Sequence, residues 1–141
     1  MALSVDTPLV VELGDQQDYP MLVSGAIAVI YEGSAITLNG DGYAGVLVPG
    51  NLFVGHALRG VSDVGGASGD KTVRVRTGRY KAEVTLTSVA QTNVGDLVYM
   101  SDDGTYTLSS AGSAVKVGIC DRYVAANTCV VEFYSKAATV L

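Results

Sequence analysis

Short apolar stretches alternate with breaks rich in glycine, asparagine and aspartate along most of this 141-residue chain. Pieces of strand length run from about Ile27 to Tyr31, Ala35 to Leu38, Gly45 to Val48, Leu52 to Leu58 and Thr72 to Arg76. Further pieces run from Tyr80 to Thr87, Leu97 to Met100, Thr105 to Leu108, Val115 to Val124 and Thr128 to Tyr134. Between them stand EGS, NGDG, PGN, SDVGGASGD, TGR, SDDG and AAN. Asn-Gly and Asp-Gly tolerate positive φ, so several of these breaks read as tight turns. Strict alternation in TVRVR puts Val73 and Val75 on one face and Arg74 and Arg76 on the other. No segment keeps a helical period between glycines, which leaves room for one or two short helical turns, for example near Ser88 to Asn93. The first twenty residues differ: one apolar run, Leu9 to Leu13, then a polar turn ending at Pro20. The pattern predicts an extended N-terminal arm over residues 1–20 and a single mainly β domain over residues 21–141, a small barrel or sandwich.

Composition agrees with this reading. A domain of this length buries roughly 68% of the surface its unfolded chain exposes. With 48% hydrophobic residues and a mean hydropathy of +0.33, low-hydrophobicity disorder is not expected. The apolar run from Met21 to Ile30 is too short to span a bilayer and lacks a basic flank, so it reads as a buried extended segment. The net charge of −5 argues against a phosphate-backbone binder. That charge is unevenly spread. Asp6, Glu12, Asp15, Asp18, Glu32 and Asp41 all precede the first basic residue, Arg59, while Lys71, Arg74, Arg76, Arg79 and Lys81 crowd together. The basic group is either a solvated strand face or a docking face for an acidic partner, and the acidic portion of a second copy is one such partner.

The tempting chemical sites have plainer explanations. SDDG, between LVYM and TYTL, reads as a hairpin turn with Gly104 in a left-handed bulge position and an aspartate bonding its own backbone. A calcium loop needs more oxygen ligands at alternating spacing. GGASGDKT approaches a phosphate-binding loop, but Asp70 stands where that motif needs glycine, and the strand VRVR comes next instead of a helix. His56 is the single histidine, and it reads as a packing or surface residue. Cys120 and Cys129 fit a reducing compartment as thiols, with a cross-strand bridge as the alternative. No catalytic residue, cofactor or metal site is assigned.

AVIYEGSAITLNGDGYAG, then FVGHALRGVSDVGGASGDKTVRVRTGRY, then VGDLVYMSDDGTYTL with VKVGI after it, together resemble the capsid decoration (cement) proteins of tailed bacteriophages. The resemblance covers about Ala28 to Glu132. It rests on Tyr31-Glu32-Gly33, Gly42-Tyr43-Ala44, Val54-Gly55, Gly69-Asp70 and Val94 to Gly104 in that order and spacing. Members of that family often carry a basic residue and a proline soon after Gly-Tyr-Ala; here Gly45 is next and Pro49 comes later. The resemblance implies a β-tulip-like fold, a homotrimer made in the host cytoplasm, and a place on the exterior of an icosahedral head. There it would bridge major capsid protein subunits and stabilise the virion without enzymatic activity, each copy adding to lattice stability through multivalency.

The expectation is therefore a virion structural protein whose partners are the major capsid protein and itself. Nucleic acid, membrane and small-molecule substrates are not expected partners. Candidate interface residues are Arg74, Arg76, Arg79 and Lys81 on the basic face and Leu9, Val10 and Val11 in the arm. Two rival functions stay open on the sequence alone. One is a carbohydrate- or receptor-binding β-domain of a tail or fibre, although the chain has no Trp and its eight Tyr are scattered. The other is a trimeric β-barrel nucleotide hydrolase, suggested by GDGYAG alone.

Overall fold

The computed structural model describes residues 15–23, 29–112 and 114–135. In chain order its strands are β1 (Gln16–Pro20), β2 (Val29–Ile30), β3 (Ala35–Leu38), β4 (Ala44–Val46), β5 (Leu52–Ala57) and β6 (Val61–Ser62). Next come β7 (Thr72–Arg76), β8 (Arg79–Thr85), β9 (Leu97–Met100), β10 (Tyr106–Thr107), β11 (Val115–Ala125) and β12 (Thr128–Tyr134). A single 3-10 turn, Gln91–Asn93, is the helical element among the described residues, where the sequence left room for one.

The strands form two five-stranded antiparallel sheets in a sandwich-like arrangement rather than a closed barrel. The first has the order β1-β7-β5-β3-β4 and the second β10-β9-β11-β12-β8, with β2 and β6 as a small separate pair. The first sheet is apolar on both faces. Phe53 and Ala35 on one face join Val98, Met100, Val117, Val131 and Phe133 of the second sheet. On the other face Val54, Ile36, Val73 and Val75 pack with Tyr19, Met21 and Ile30. This double burial explains the continuous apolar runs in β3 and β5, where clean alternation is missing.

A bulge in β5 decides which of its side chains face the second sheet. Ile36 pairs with Gly55 and its neighbour Thr37 with Phe53, so Val54 is the extra residue. Gly55 takes φ +138, and a Cβ there would lie 1.7 Å from the Arg76 carbonyl oxygen. The inserted residue resets the alternation, so His56 ends on the same face as Phe53, edge-on to it at 5.7 Å between ring centroids.

Two expectations need correction. Residues 16–20, read as part of the arm, are instead an edge strand of the first sheet: Gln16 to Pro20 pair with Arg76 to Thr72, and Tyr19 is buried. Polar residues hid this strand, because as an edge element it buries one side chain, Tyr19, in the core. Gly104 closes the β9–β10 turn but is not among the glycines at positive φ. Asp102 shapes that turn instead, its carboxylate accepting the Gly104 and Thr105 N–H groups at 2.9 and 2.8 Å. Those hydrogen bonds hold the Asp102 carboxyl below the usual range.

Candidate functional site

The basic face lies on β7 and β8, and most of its charges are answered within the chain. Arg74 stands opposite Asp18 in the β1–β7 register and grips it with a fork, Nε–Oδ1 3.0 Å and Nη2–Oδ2 3.2 Å. The fork lowers the Asp18 carboxyl pKa. Arg79 bonds Glu132 across the β8–β12 ladder, donates to the Tyr134 hydroxyl at 3.0 Å and lies 4.7 Å from the centre of that ring. Lys81 pairs with Asp121 at 3.2 Å, and Lys71 donates to the Ser62 carbonyl oxygen. Arg76 is the exception. It is half-buried, and among the described residues its guanidinium has neither an ion pair nor a hydrogen bond. Opposite it in the register stand Gln16 on β1 and His56 on β5. Leu9, Val10 and Val11 lie outside the described residues.

Beside Arg76 is a pocket of about 260 Å³ between the two sheets, with His56 in its floor and Tyr80, Val84 and Tyr106 around it. The β5 bulge brings the imidazole here. Its Nδ1 meets the Tyr80 hydroxyl at 2.5 Å and its Nε2 the Tyr106 hydroxyl at 2.9 Å. Phe133 closes the group, its ring edge-on to His56 at 4.6 Å between centroids. Burial pulls the His56 pKa down to about 4. The ring is therefore neutral at ordinary pH, with one nitrogen donating to one tyrosine oxygen and the other accepting an O–H. Burial also pushes both phenols up, Tyr106 to about 12 and Tyr80 further. Neither tyrosine ionises near neutrality, so the floor is polar but uncharged. The imidazole joins the two tyrosines and so orders the side chains of the floor.

Sequence reasoning found His56 without its partners. Tyr80 lies 24 residues beyond it and Tyr106 lies 50 residues beyond it, and no local pattern joins the three. The one usable signal was alternation in β8, which puts Tyr80 and Val84 on the inward face.

Elsewhere, the loop from Gly65 to Lys71 spends its amides internally. Ala67 N–H donates to the Asp70 carboxylate, Gly69 N–H to the Met21 carbonyl oxygen and Asp70 N–H to that of Ala67. Those amides are not aimed at a common anion. Cys120 and Cys129 are free, buried thiols. The described residues contain no group of three or more His, Cys, Asp or Glu placed to share a metal ion. No family model, curated protein or solved structure matches the chain.

Proposed function

We propose that the chain is a non-enzymatic structural protein of a phage virion, bound to the outside of an icosahedral head, where it bridges major capsid protein subunits. The sequence markers support this reading through their order and spacing. The observation that carries it is one long sheet edge. β1 and β4 end one sheet, and β8 and β10 end the other; Met21 bridges Ala44 of β4 and Leu86 bridges Tyr106 of β10. β8 alone offers seven residues with a neighbour on one side, Arg79–Thr85. Unpaired edges of this length recruit strands from other chains, which is how a small domain joins large neighbours without a deep binding site. In this reading Leu9, Val10 and Val11 contribute to the contact with a neighbour, and copies associate as trimers.

Co-sedimentation tests it. The full chain is mixed with expanded, undecorated heads of its own phage, and bound protein is quantified against input. Saturable binding at a fixed ratio to the major capsid protein, with heads that resist heat better, is the expected result. An absence of binding to expanded heads overturns the proposal. Reversing Arg74 and Arg76 to glutamate together should weaken binding, and unchanged decoration removes these two residues from the contact.

A further inference from the structure

The structure assigns a peptide site to the seam between β8 and β10: it takes an extended acidic segment of a partner protein, which adds as a strand to β8 and sets a carboxylate on Arg76.

Three features carry this, and none depends on the virion reading. The first is the seam itself. β8 and β10 are the two end strands of the second sheet, yet the sheet curls so far that Leu86, just past β8, forms a parallel bridge with Tyr106. The edges meet there and stand apart over the rest of β8, with His56 visible between them. Along β8 every second residue directs its N–H and C=O away from β12 into this gap. The second is size. At about 260 Å³ the pocket falls below the range of about 300–1,000 Å³ usual for small-molecule sites. It has room for side chains of a strand laid against β8, beside the inward face that presents Tyr80, Ala82 and Val84.

The third is charge. Arg74, Arg79 and Lys81 each have a carboxylate partner, whereas Arg76 at the mouth of the seam has none among the described residues. A half-buried guanidinium with open donors is a ready partner for a carboxylate, which it binds in a fork. The remaining charges at the rim are Lys81, held by Asp121, and Glu83, farther along β8 toward the closed end. That order sets the polarity of the occupant. Its carboxylate lies at the open end by Arg76, and an apolar side chain lies over the rings of Tyr80 and His56. Residues two apart on a strand face the same way, about 6.8 Å apart. The matching segment therefore has an apolar residue and a carboxylate separated by one position.

Nuclear magnetic resonance titration of the full-length protein tests this with a capped peptide, acetyl-Thr-Val-Thr-Glu-Thr amide. The expected result is saturable binding with amide shifts at residues 80–84 and 106. Replacing the peptide's Glu by Lys, or methylating its backbone nitrogens on the side facing β8, should abolish binding to the unaltered protein. Arg76→Gln, checked for an otherwise intact amide spectrum, should raise Kd about tenfold. An absence of binding up to about 1 mM peptide, equal affinity for the Glu and Lys peptides, or an unchanged Kd in Arg76→Gln overturns the proposal. So do shifts centred on the separate cleft of Arg59 and Lys71. Val10 and Glu12 of this chain carry the same spacing. If Arg76-dependent self-association displaces the peptide, the occupant is a second copy and a foreign partner is ruled out.

Discussion

Acid should weaken this fold through His56, and the size of the effect can be worked from its surroundings. The imidazole has both nitrogens bonded to phenols and is enclosed by Phe53 and Phe133. A proton on the ring would turn its accepting nitrogen into a second donor and place a charge where burial disfavours it. The folded-state pKa is about 4 against 6.5 for an exposed imidazole. The unfolded chain thus takes up the proton first as pH falls. Stability is complete above 6.5, is lost as pH falls from 6.5 to about 4, and loses nothing further to this group below that. Full linkage is at most about 3 kcal/mol, and about 2 kcal/mol of it is gone by about pH 5. Asp18 and Asp102 also have lowered values, but their losses fall below the ordinary carboxylate range and so outside this window. Urea unfolding from about pH 7 to about pH 5 measures the effect. The wild-type protein should lose about 2 kcal/mol more than His56→Gln over that interval. The variant starts less stable, since it gives up the ring contacts, so the difference in slope is the test. Parallel curves for the two proteins would refute the reasoning, as would an imidazole that titrates near its ordinary value in the folded protein.

Gly55→Ala should cost about 3 kcal/mol or more, because it joins a positive φ to a Cβ 1.7 Å from the Arg76 carbonyl oxygen. Gly118→Ala meets the Glu132 carbonyl oxygen at 2.2 Å and should also be strongly destabilising, whereas Gly104→Ala, with open space around it, should leave the thermal midpoint nearly unchanged. Asp18→Asn breaks the Arg74 fork on the edge strand and should speed amide exchange in β1 a few-fold at low salt, with little effect at high salt, where surface ion pairs are screened. Burial raises both thiols, Cys129 to about 11, so neither should react with a thiol reagent until the protein unfolds; rapid labelling of the native state would contradict their placement. Gln16→Asp puts a carboxylate opposite Arg76 and should weaken the acidic peptide about tenfold without unfolding the protein; unchanged affinity would mean that Arg76 is not the contact.

The body of the fold was legible wherever turn residues bound a short run of strand-forming side chains. β3, β7, β9 and β12 begin and end where the sequence placed them, because turn residues bound each of them and valines, isoleucines or aromatics fill the interior. β1 was not legible. QQDYP has one buried side chain, so burial leaves almost no periodic trace there. The candidate site was less legible still. His56 stands where it does because of a bulge in β5, and a bulge is visible only once β3 supplies the register that it breaks. Tyr80 and Tyr106 come to it from the two end strands of the other sheet, a proximity created by sheet curvature.

The contrast between Arg74 and Arg76 shows how little separates a closed ion pair from an open site. Alternation gives the two arginines the same face of β7, as the sequence indicated, and by composition they are equivalent. The register of β1 distinguishes them. Asp18 stands opposite one, and Gln16, which carries no charge, opposite the other. Arg76 faces a neutral imidazole on its other side as well, since His56 is its partner on β5 and burial keeps that ring unprotonated. Its charge is thus left without an internal anion by two independent neighbours, one polar and one desolvated. The bulge that turns His56 inward brings the Arg76 carbonyl oxygen against Gly55, so the same irregularity fixes both the backbone of the arginine and the pocket beside it. A strand face that looked like one basic patch is therefore two things: a fastening for β1 at Arg74, and an unanswered charge at the mouth of the seam.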